Sequence, residues 1–251
     1  MGSLSGKVAI VTGASRGLGR RFAAAIAAEG ARVALLARPS DQLGETAREI
    51  GEAARAIPCD VSDPDSVRAA FAEVQRQFGR LDILINNAGV TYLNRIETAS
   101  DAKIQGEVSI NVMGPIFAAR EAIPMLRAAG GGDIVNISSE SVKLPFPYLT
   151  IYGATKAALE YFTRGLRDEV RPDSIRVTAL RVGSVMGTEL HRHWDESEAP
   201  AFMQAMFETG IMKIGGVTPL TPDQMAMALI SVLALPHEVN VDLIEVRPTA
   251  P

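Results

Sequence analysis

The segment Tyr152-Gly153-Ala154-Thr155-Lys156 carries a phenol and an ammonium four residues apart. On a helix that spacing puts both side chains on one face, about 6 Å apart along the axis. An unperturbed tyrosine has a pKa of about 10 and is a poor base at neutral pH. Bringing it to about 7 takes roughly 4 kcal/mol, at about 1.4 kcal/mol per unit. A unit positive charge about 4 Å away supplies on the order of 4 kcal/mol at an effective dielectric near 20. One lysine is therefore sufficient in magnitude to make Tyr152 a proton-transfer group. Ser139 precedes Tyr152 by 13 residues, just beyond an expected strand Asp133–Ile137. A hydroxyl there can hydrogen-bond a substrate oxygen as charge develops on it. Tyr-x3-Lys alone is a common pattern, and is most often an exposed tyrosine beside a surface lysine. Its weight depends on what else the chain places around it.

The second chemical feature is the turn Thr12-Gly13-Ala14-Ser15-Arg16-Gly17-Leu18-Gly19. It joins a β-branched run to a helical pattern. Glycines permit positive φ and close approach of the backbone to a pyrophosphate, and the helix N-terminus offers free N–H groups. The spacing G-x3-G-x-G differs from the G-x-G-x-x-G dinucleotide fingerprint, and no Gly-Lys-Ser/Thr follows, so a Walker-type loop is excluded. NAD-preferring sites usually place an acidic residue at the end of the second strand. Here that position holds Ala37 and then Arg38. An arginine without a carboxylate favours a 2′-phosphate, hence NADP(H) over NAD(H), with Arg16 as a second charge.

These groups need a scaffold. Strands are expected at Lys7–Thr12, Arg32–Ala37, Ala56–Cys59, Leu81–Ile85, Asp133–Ile137, Arg176–Val182 and Leu243–Arg247. Helical patterns fill most of the gaps. Leu18, Phe22, Ala25, Ile26 and Glu29 follow the turn at helical spacing, and Gly30 ends that helix. A weaker helix is expected over Asp41–Ala54. Asp63 caps a clear amphipathic helix with Pro64 at its first position and Val67, Ala70, Phe71, Val74 and Phe78 on one face. Strands alternating with helices, the strands nearly continuous in apolar residues, predict an α/β fold: a Rossmann-like, doubly wound parallel sheet. No linker or repeat interrupts the 251 residues, so one domain is expected over 1–251. The stretch 184–220 is the least regular and is expected to form a loop over the substrate.

The bulk numbers narrow the partners. With 47% hydrophobic and 22% charged residues the chain reads as globular. A net charge of −4 without a basic run argues against nucleic acid and anionic membrane surfaces. Cys59 is the one cysteine, expected to be a small buried residue, and no Cys/His cluster has metal-ligand spacing. No targeting or spanning segment is evident, so a cytoplasmic protein is expected.

In chain order the motifs are the turn Thr12–Gly19, Asp60-Val61, Asn86-Asn87-Ala88-Gly89, Asn111, the strand end Ile137-Ser138-Ser139, and Tyr152 with Lys156. In this combination the chain resembles the short-chain dehydrogenase/reductase family, in its compact branch, over nearly its whole length. The resemblance implies an oxidoreductase acting on a small-molecule carbonyl or alcohol by hydride transfer. It makes Tyr152 the general acid/base, Ser139 rather than Ser138 the carbonyl-polarising serine, and Lys156 the residue that lowers the tyrosine pKa and holds the nicotinamide ribose. It makes Asn111 the asparagine that keeps a helix bent and holds a water in the proton relay. Gly13, Ser15, Arg16, Gly17, Leu18 and Gly19 would contact the cofactor phosphates. Asp60 and Val61 would contact adenine, and Asn87, Ala88 and Gly89 the adenosine ribose. A homotetramer or homodimer is implied, through helices near Ala102–Ala128 and Tyr152–Val170.

The sequence also departs from the family. Val182-Gly183 stands where Pro-Gly is usual, and Gly187 where a threonine is usual, with Thr188 next. Contacts of Gly183 and Val185 to the nicotinamide carboxamide are expected, while one from Thr188 is in doubt. The usual C-terminal Gly-Gly is replaced by Val246-Arg247-Pro248-Thr249. Trp194, Phe202, Met203, Met206, Phe207 and Met212 make the 184–220 loop apolar, which suits a hydrophobic substrate or simply packs the loop. Leu144, Pro145, Phe146 and Tyr148 are expected to shape the pocket, and His191 and His193 to be surface residues. Two other readings stay open: an NAD(H)-preferring alcohol dehydrogenase, and a cofactor-binding regulator without catalysis.

Overall fold

The β-branched runs form strands and the amphipathic segments form helices, in strict alternation through the first six strands. In the computed structural model, which describes residues 2–211 and 218–249, the strands are β1 (Val8–Thr12), β2 (Arg32–Ala37), β3 (Ala54–Pro58), β4 (Ile83–Asn86), β5 (Gly132–Ser139), β6 (Ile175–Val182) and β7 (Leu243–Val246). The helices are α1 (Gly17–Ala28), α2 (Asp41–Ile50), α3 (Pro64–Phe78), α4 (Asp101–Val108), α5 (Gly114–Ala128), α6 (Thr150–Val170), α7 (Ala199–Glu208) and α8 (Pro222–Leu233). The strands build one seven-stranded sheet in the order β3-β2-β1-β4-β5-β6-β7, every pairing parallel. Met212 of the expected loop lies outside the described residues.

Side-chain alternation along the strands divides the core in two. Val8, Ile10, Leu84, Ile134 and Val177 face α3, α5 and α6. Ala9, Val11, Ile83, Ile85, Val135 and Ile137 face α1 and α8. Both faces are covered, which is why the strands are apolar without a polar side. The five residues expected on one face of α3 are its buried residues, and the Asp63 carboxylate accepts the N–H of Asp65.

Several boundaries differ from expectation. The helix expected over Asp41–Ala54 stops at Ile50, because Gly51 adopts φ +84 and a short 3₁₀ turn delivers the chain to β3 two residues early. Lys7 precedes β1, and β4 begins at Ile83 and runs to Asn86. β5 runs on to Ser139, so this serine ends the strand rather than following it. The long segment 101–128 is two helices joined by a π-helical turn, Ser109–Met113. Among the described residues no helix is long and apolar enough to cross a membrane.

Candidate active site

Thr12 and Asn87 weld the glycine turn to the end of β4. The Thr12 hydroxyl accepts the N–H of Asn87 and of Ala88, each at 3.0 Å, and donates to the Ile85 carbonyl at 3.3 Å. The Asn87 side-chain amide donates to the Thr12 carbonyl at 2.9 Å. Two glycines are required by this geometry. Gly13 holds φ +66, and a Cβ on Gly19 would sit 2.2 Å from the Gly13 carbonyl oxygen. α1 starts at Gly17 with Arg16 as its N-cap, and the Arg16 side chain makes no capping bond. The first N–H groups of α1 are thus free for an anion.

A groove of about 2410 Å³ runs along the C-terminal edge of the sheet. Its walls include Gly13, Ser15, Arg16, Leu18 and Gly19 from the turn, Arg38 after β2, Asp60 and Val61 after β3, and Asn87, Ala88 and Gly89 after β4. Ser139, Tyr152, Lys156, Gly183 and Val185 line the same groove further along. Gly17 is the one expected contact of the turn that does not line it; a Cβ there would meet the Thr188 carbonyl oxygen at 2.5 Å instead. Thr188, in doubt from its displaced position, does line the groove. A crevice at the strand carboxyl ends is the usual ligand site of an open parallel sheet. The volume exceeds the several hundred Å³ of an ordinary small-molecule pocket and suits an extended ligand with a second one beside it.

Tyr152 is the third residue of α6, and Lys156 follows one turn later; both are buried. The Lys156 ammonium donates to the Ile137 carbonyl at 2.8 Å and lies 5.7 Å from the centre of the Tyr152 ring. Ser139 is close enough to Tyr152 to favour its ionised form. Tyr148, four residues before Tyr152, is held at φ +61, with its carbonyl accepting the N–H of Asn94 at 2.9 Å. A non-glycine residue in that region is strained, and such strain concentrates at functional sites.

The expected lowering of the tyrosine pKa is reversed in the protein alone. Burial pushes Tyr152 up to about 12, with the Glu107 carboxylate adding to the rise. Burial likewise pulls Lys156 down to about 8. The attraction of one lysine charge is outweighed by the cost of desolvating both groups.

Asn111 sits in the π-helical turn, fully buried. Its amide donates to the Val90 carbonyl at 2.8 Å and to the Thr155 hydroxyl at 3.1 Å, and its side-chain oxygen accepts the Val90 N–H at 2.9 Å. Pro115, four residues on, has no N–H, so the Asn111 carbonyl lacks its usual helical donor. Glu107, one turn earlier, is a residue the sequence analysis missed. Its Oε1 accepts the Tyr92 N–H at 2.9 Å, while Oε2 is buried without a partner. Burial pushes this carboxyl up to about 7. A carboxylate in an otherwise unremarkable helix gave no signal until the fold buried it.

Beyond Tyr152 the groove wall is apolar. Phe202 and Met206 of α7 are buried against Leu93, Leu149 and Tyr152, with Phe146, Leu190 and Trp194 packed around them. Leu144, Phe146 and Phe207 line the groove, whereas Pro145 and Met203 do not, and Tyr148 turns to a separate shallow pocket. His191 and His193 are exposed as expected, yet both line the groove, as do Tyr92 and the C-terminal Arg247, Pro248 and Thr249. Cys59 is buried at the foot of the groove, and burial raises its thiol to about 11. Among the described residues no group of histidine, cysteine or carboxylate side chains can hold a metal ion.

Known proteins carry the same plan. The sequence profile of the family described as short chain dehydrogenase matches residues 7–199. An uncharacterized oxidoreductase of Staphylococcus aureus (strain N315) is 30% identical over 246 residues, which are 98% of this chain and 98% of that protein. The structure of L-sorbose reductase from Gluconobacter frateurii, complexed with NADPH and L-sorbose, matches with a TM-score of 0.83 at 32% identity, over 98% of this chain and 97% of that one. That of 3-ketoacyl-(acyl-carrier-protein) reductase from Brucella melitensis, complexed with NADH, matches with a TM-score of 0.84 at 31% identity, over 97% of each chain. The seven-stranded parallel sheet, the glycine turn and the groove at its strand ends are therefore those of an oxidoreductase, and the chain belongs to the short-chain dehydrogenase/reductase family.

Proposed function

We propose that this oxidoreductase uses NADP(H) to interconvert a ketone or aldehyde with the corresponding alcohol, with Tyr152 as general acid/base. The observation that carries this reading is that Ser139, Tyr152 and Lys156 line the same groove as the glycine turn. The donor set fits a dinucleotide: free N–H groups at the start of α1, a backbone cradle that a Cβ on Gly13 or Gly19 would fill, and the buried, unpartnered Nε of Arg16. Gly13, Ser15, Arg16, Leu18 and Gly19 would hold the phosphates, Asp60 and Val61 the adenine, and Asn87, Ala88 and Gly89 the adenosine ribose. Tyr152 and Lys156 would hold the nicotinamide ribose, and Gly183 and Val185 the carboxamide. Arg38 makes no ion pair among the described residues and is the group offered to a 2′-phosphate.

When bound, the nicotinamide would supply or take up the hydride. The Ser139 hydroxyl donates to the substrate oxygen and orients it. Tyr152 gives that oxygen a proton in reduction and removes it in oxidation. Lys156 supplies the positive charge that stabilises the phenolate, fixed by its bond to Ile137. Asn111 holds the bend of the α4–α5 segment and leaves its carbonyl for a water that passes protons to Lys156. Leu144, Phe146, Trp194, Phe202 and Met206 favour a substrate with a hydrophobic body. Val108, Met113, Ile116 and Tyr161 are exposed on α4–α6 and on the turn between α4 and α5, and they suit assembly into a homodimer or homotetramer through these helices.

NADPH oxidation, followed against a panel of aldehydes and ketones graded in polarity, tests the reading. Turnover with hydrophobic carbonyls is expected. A wild type that binds NADPH and turns over no carbonyl of the panel favours a regulator instead. An NAD(H)-preferring enzyme is the second reading, favoured by the NADH complex of the Brucella melitensis reductase.

A further inference from the structure

After β6 the chain crosses back toward the nucleotide end of the groove. The Thr188 carbonyl rests over Gly17, and Glu189, at φ +54, pairs with Arg16 at 3.3 Å. The chain then makes a single 3₁₀ turn, Leu190–His193. This turn carries Arg192 and His193 into the lining of the groove that Arg16, Arg38 and Ser40 also line, with Arg192 close enough to feel the charges of Arg16 and Arg38. Three guanidinium groups therefore converge on one stretch of groove. Glu189 is the one carboxylate paired with any of them among the described residues, and only with Arg16. The Nε of Arg16 is buried without a partner. The Arg192 Nε donates to Nε2 of His193 at 2.9 Å, so that ring nitrogen carries no proton and His193 adds no charge.

Like charges brought together in a partly buried groove are unfavourable unless an anion lies among them. The structure bears this out in direction. Burial, then Arg16 and Arg38, lower the pKa of Arg192, and His193 is lowered by burial and by all three arginines. The unmatched charge sits where β2 ends, at Arg38, rather than along the free N–H groups of α1. That position separates a ribose phosphate from the bridging pyrophosphate.

We propose that Arg192 is a third ligand for the 2′-phosphate, reaching it from the covering loop opposite Arg38 and coupling recognition of the phosphorylated ribose to seating of that loop. The proposal rests on the reading that the groove takes NADP(H). It makes cofactor choice a property of the substrate-covering segment as well as of β2.

Calorimetric titration of the full chain with adenosine 2′,5′-bisphosphate and with 5′-AMP tests it without turnover. The wild type is expected to bind the bisphosphate the more tightly. Arg192→Gln is expected to weaken the bisphosphate about tenfold, the scale of one charge-assisted hydrogen bond, with 5′-AMP within about twofold. Retained 5′-AMP binding shows that the variant is folded. Equal loss for both ligands would place Arg192 on the 5′-phosphate and overturn the proposal, as would no loss for either. Arg38→Gln separates the two levels. If Arg38→Gln loses the preference and Arg192→Gln keeps it, the NADP(H) reading stands and the Arg192 proposal fails. If the wild type shows no preference for the bisphosphate, both fail.

Discussion

The Lys156 ammonium is anchored to the Ile137 carbonyl, 2.8 Å away on the strand whose last residue is Ser139. The bond fixes a cation of α6 against β5 and sets its distance from Tyr152. It also makes a buried lysine tolerable, since one of its three donors is satisfied by main chain. Removing the cation leaves Ser139 alone to favour the phenolate against burial and the Glu107 carboxylate. Lys156→Ala is therefore expected to move the acidic limb of the kcat/KM profile for alcohol oxidation, where Tyr152 must be deprotonated, to higher pH, and to weaken cofactor binding. A variant whose profile overlays the wild type would remove Lys156 from the proton chemistry.

Arg38 should decide cofactor choice. Arg38→Asp would replace the proposed 2′-phosphate ligand by a carboxylate suited to ribose hydroxyls. The ratio of kcat/KM for NADPH to that for NADH is expected to fall by about tenfold or more, the worth of a charge-assisted contact. A wild type that already prefers NADH in steady-state kinetics contradicts the 2′-phosphate assignment.

Glu107 should make stability fall as pH rises. Its carboxyl titrates near 4.5 when unfolded and is pushed up to about 7 by burial in the fold. The folded protein therefore holds the proton more tightly than the unfolded chain. The penalty is absent below about pH 4.5, grows between the two values and is complete above about 7. At about 1.4 kcal/mol per unit it amounts to roughly 3 kcal/mol. Gln keeps the acceptor for the Tyr92 N–H without the charge, so Glu107→Gln is expected to gain stability over wild type at pH 8 and not at pH 5. Urea unfolding of both proteins at the two pH values measures this. A constant difference between them would mean that Glu107 is ionised in the fold at both.

The fold was legible because parallel strands covered on both faces are nearly continuous in apolar residues, and Lys7–Thr12, Arg32–Ala37 and Leu81–Ile85 read that way. Ser139, Tyr152 and Lys156 were legible because their spacing is fixed by one strand end and one helix turn. What escaped was set by tertiary contact. Arg192 and His193 sit in an irregular stretch, and tertiary contacts, among them the Arg16–Glu189 pair and the Tyr92–His193 ring contact, bring them to the groove. Glu107 became unusual only when α4 packed its carboxyl away from water. The tyrosine pKa was misjudged for the same reason: spacing reports neighbours, and burial is a property of the whole fold.

The central claim is that Tyr152 moves the proton. Tyr152→Phe deletes one hydroxyl from a buried ring and leaves the packing against Leu93, Leu149, Phe202 and Met206 in place. Single-turnover carbonyl reduction by this variant, measured beside its NADPH affinity, is the direct test. Loss of about 10²-fold or more in the hydride-transfer rate, the scale of a general acid, with affinity within a few fold of wild type, is the predicted result. Near-normal hydride transfer in Tyr152→Phe would contradict it.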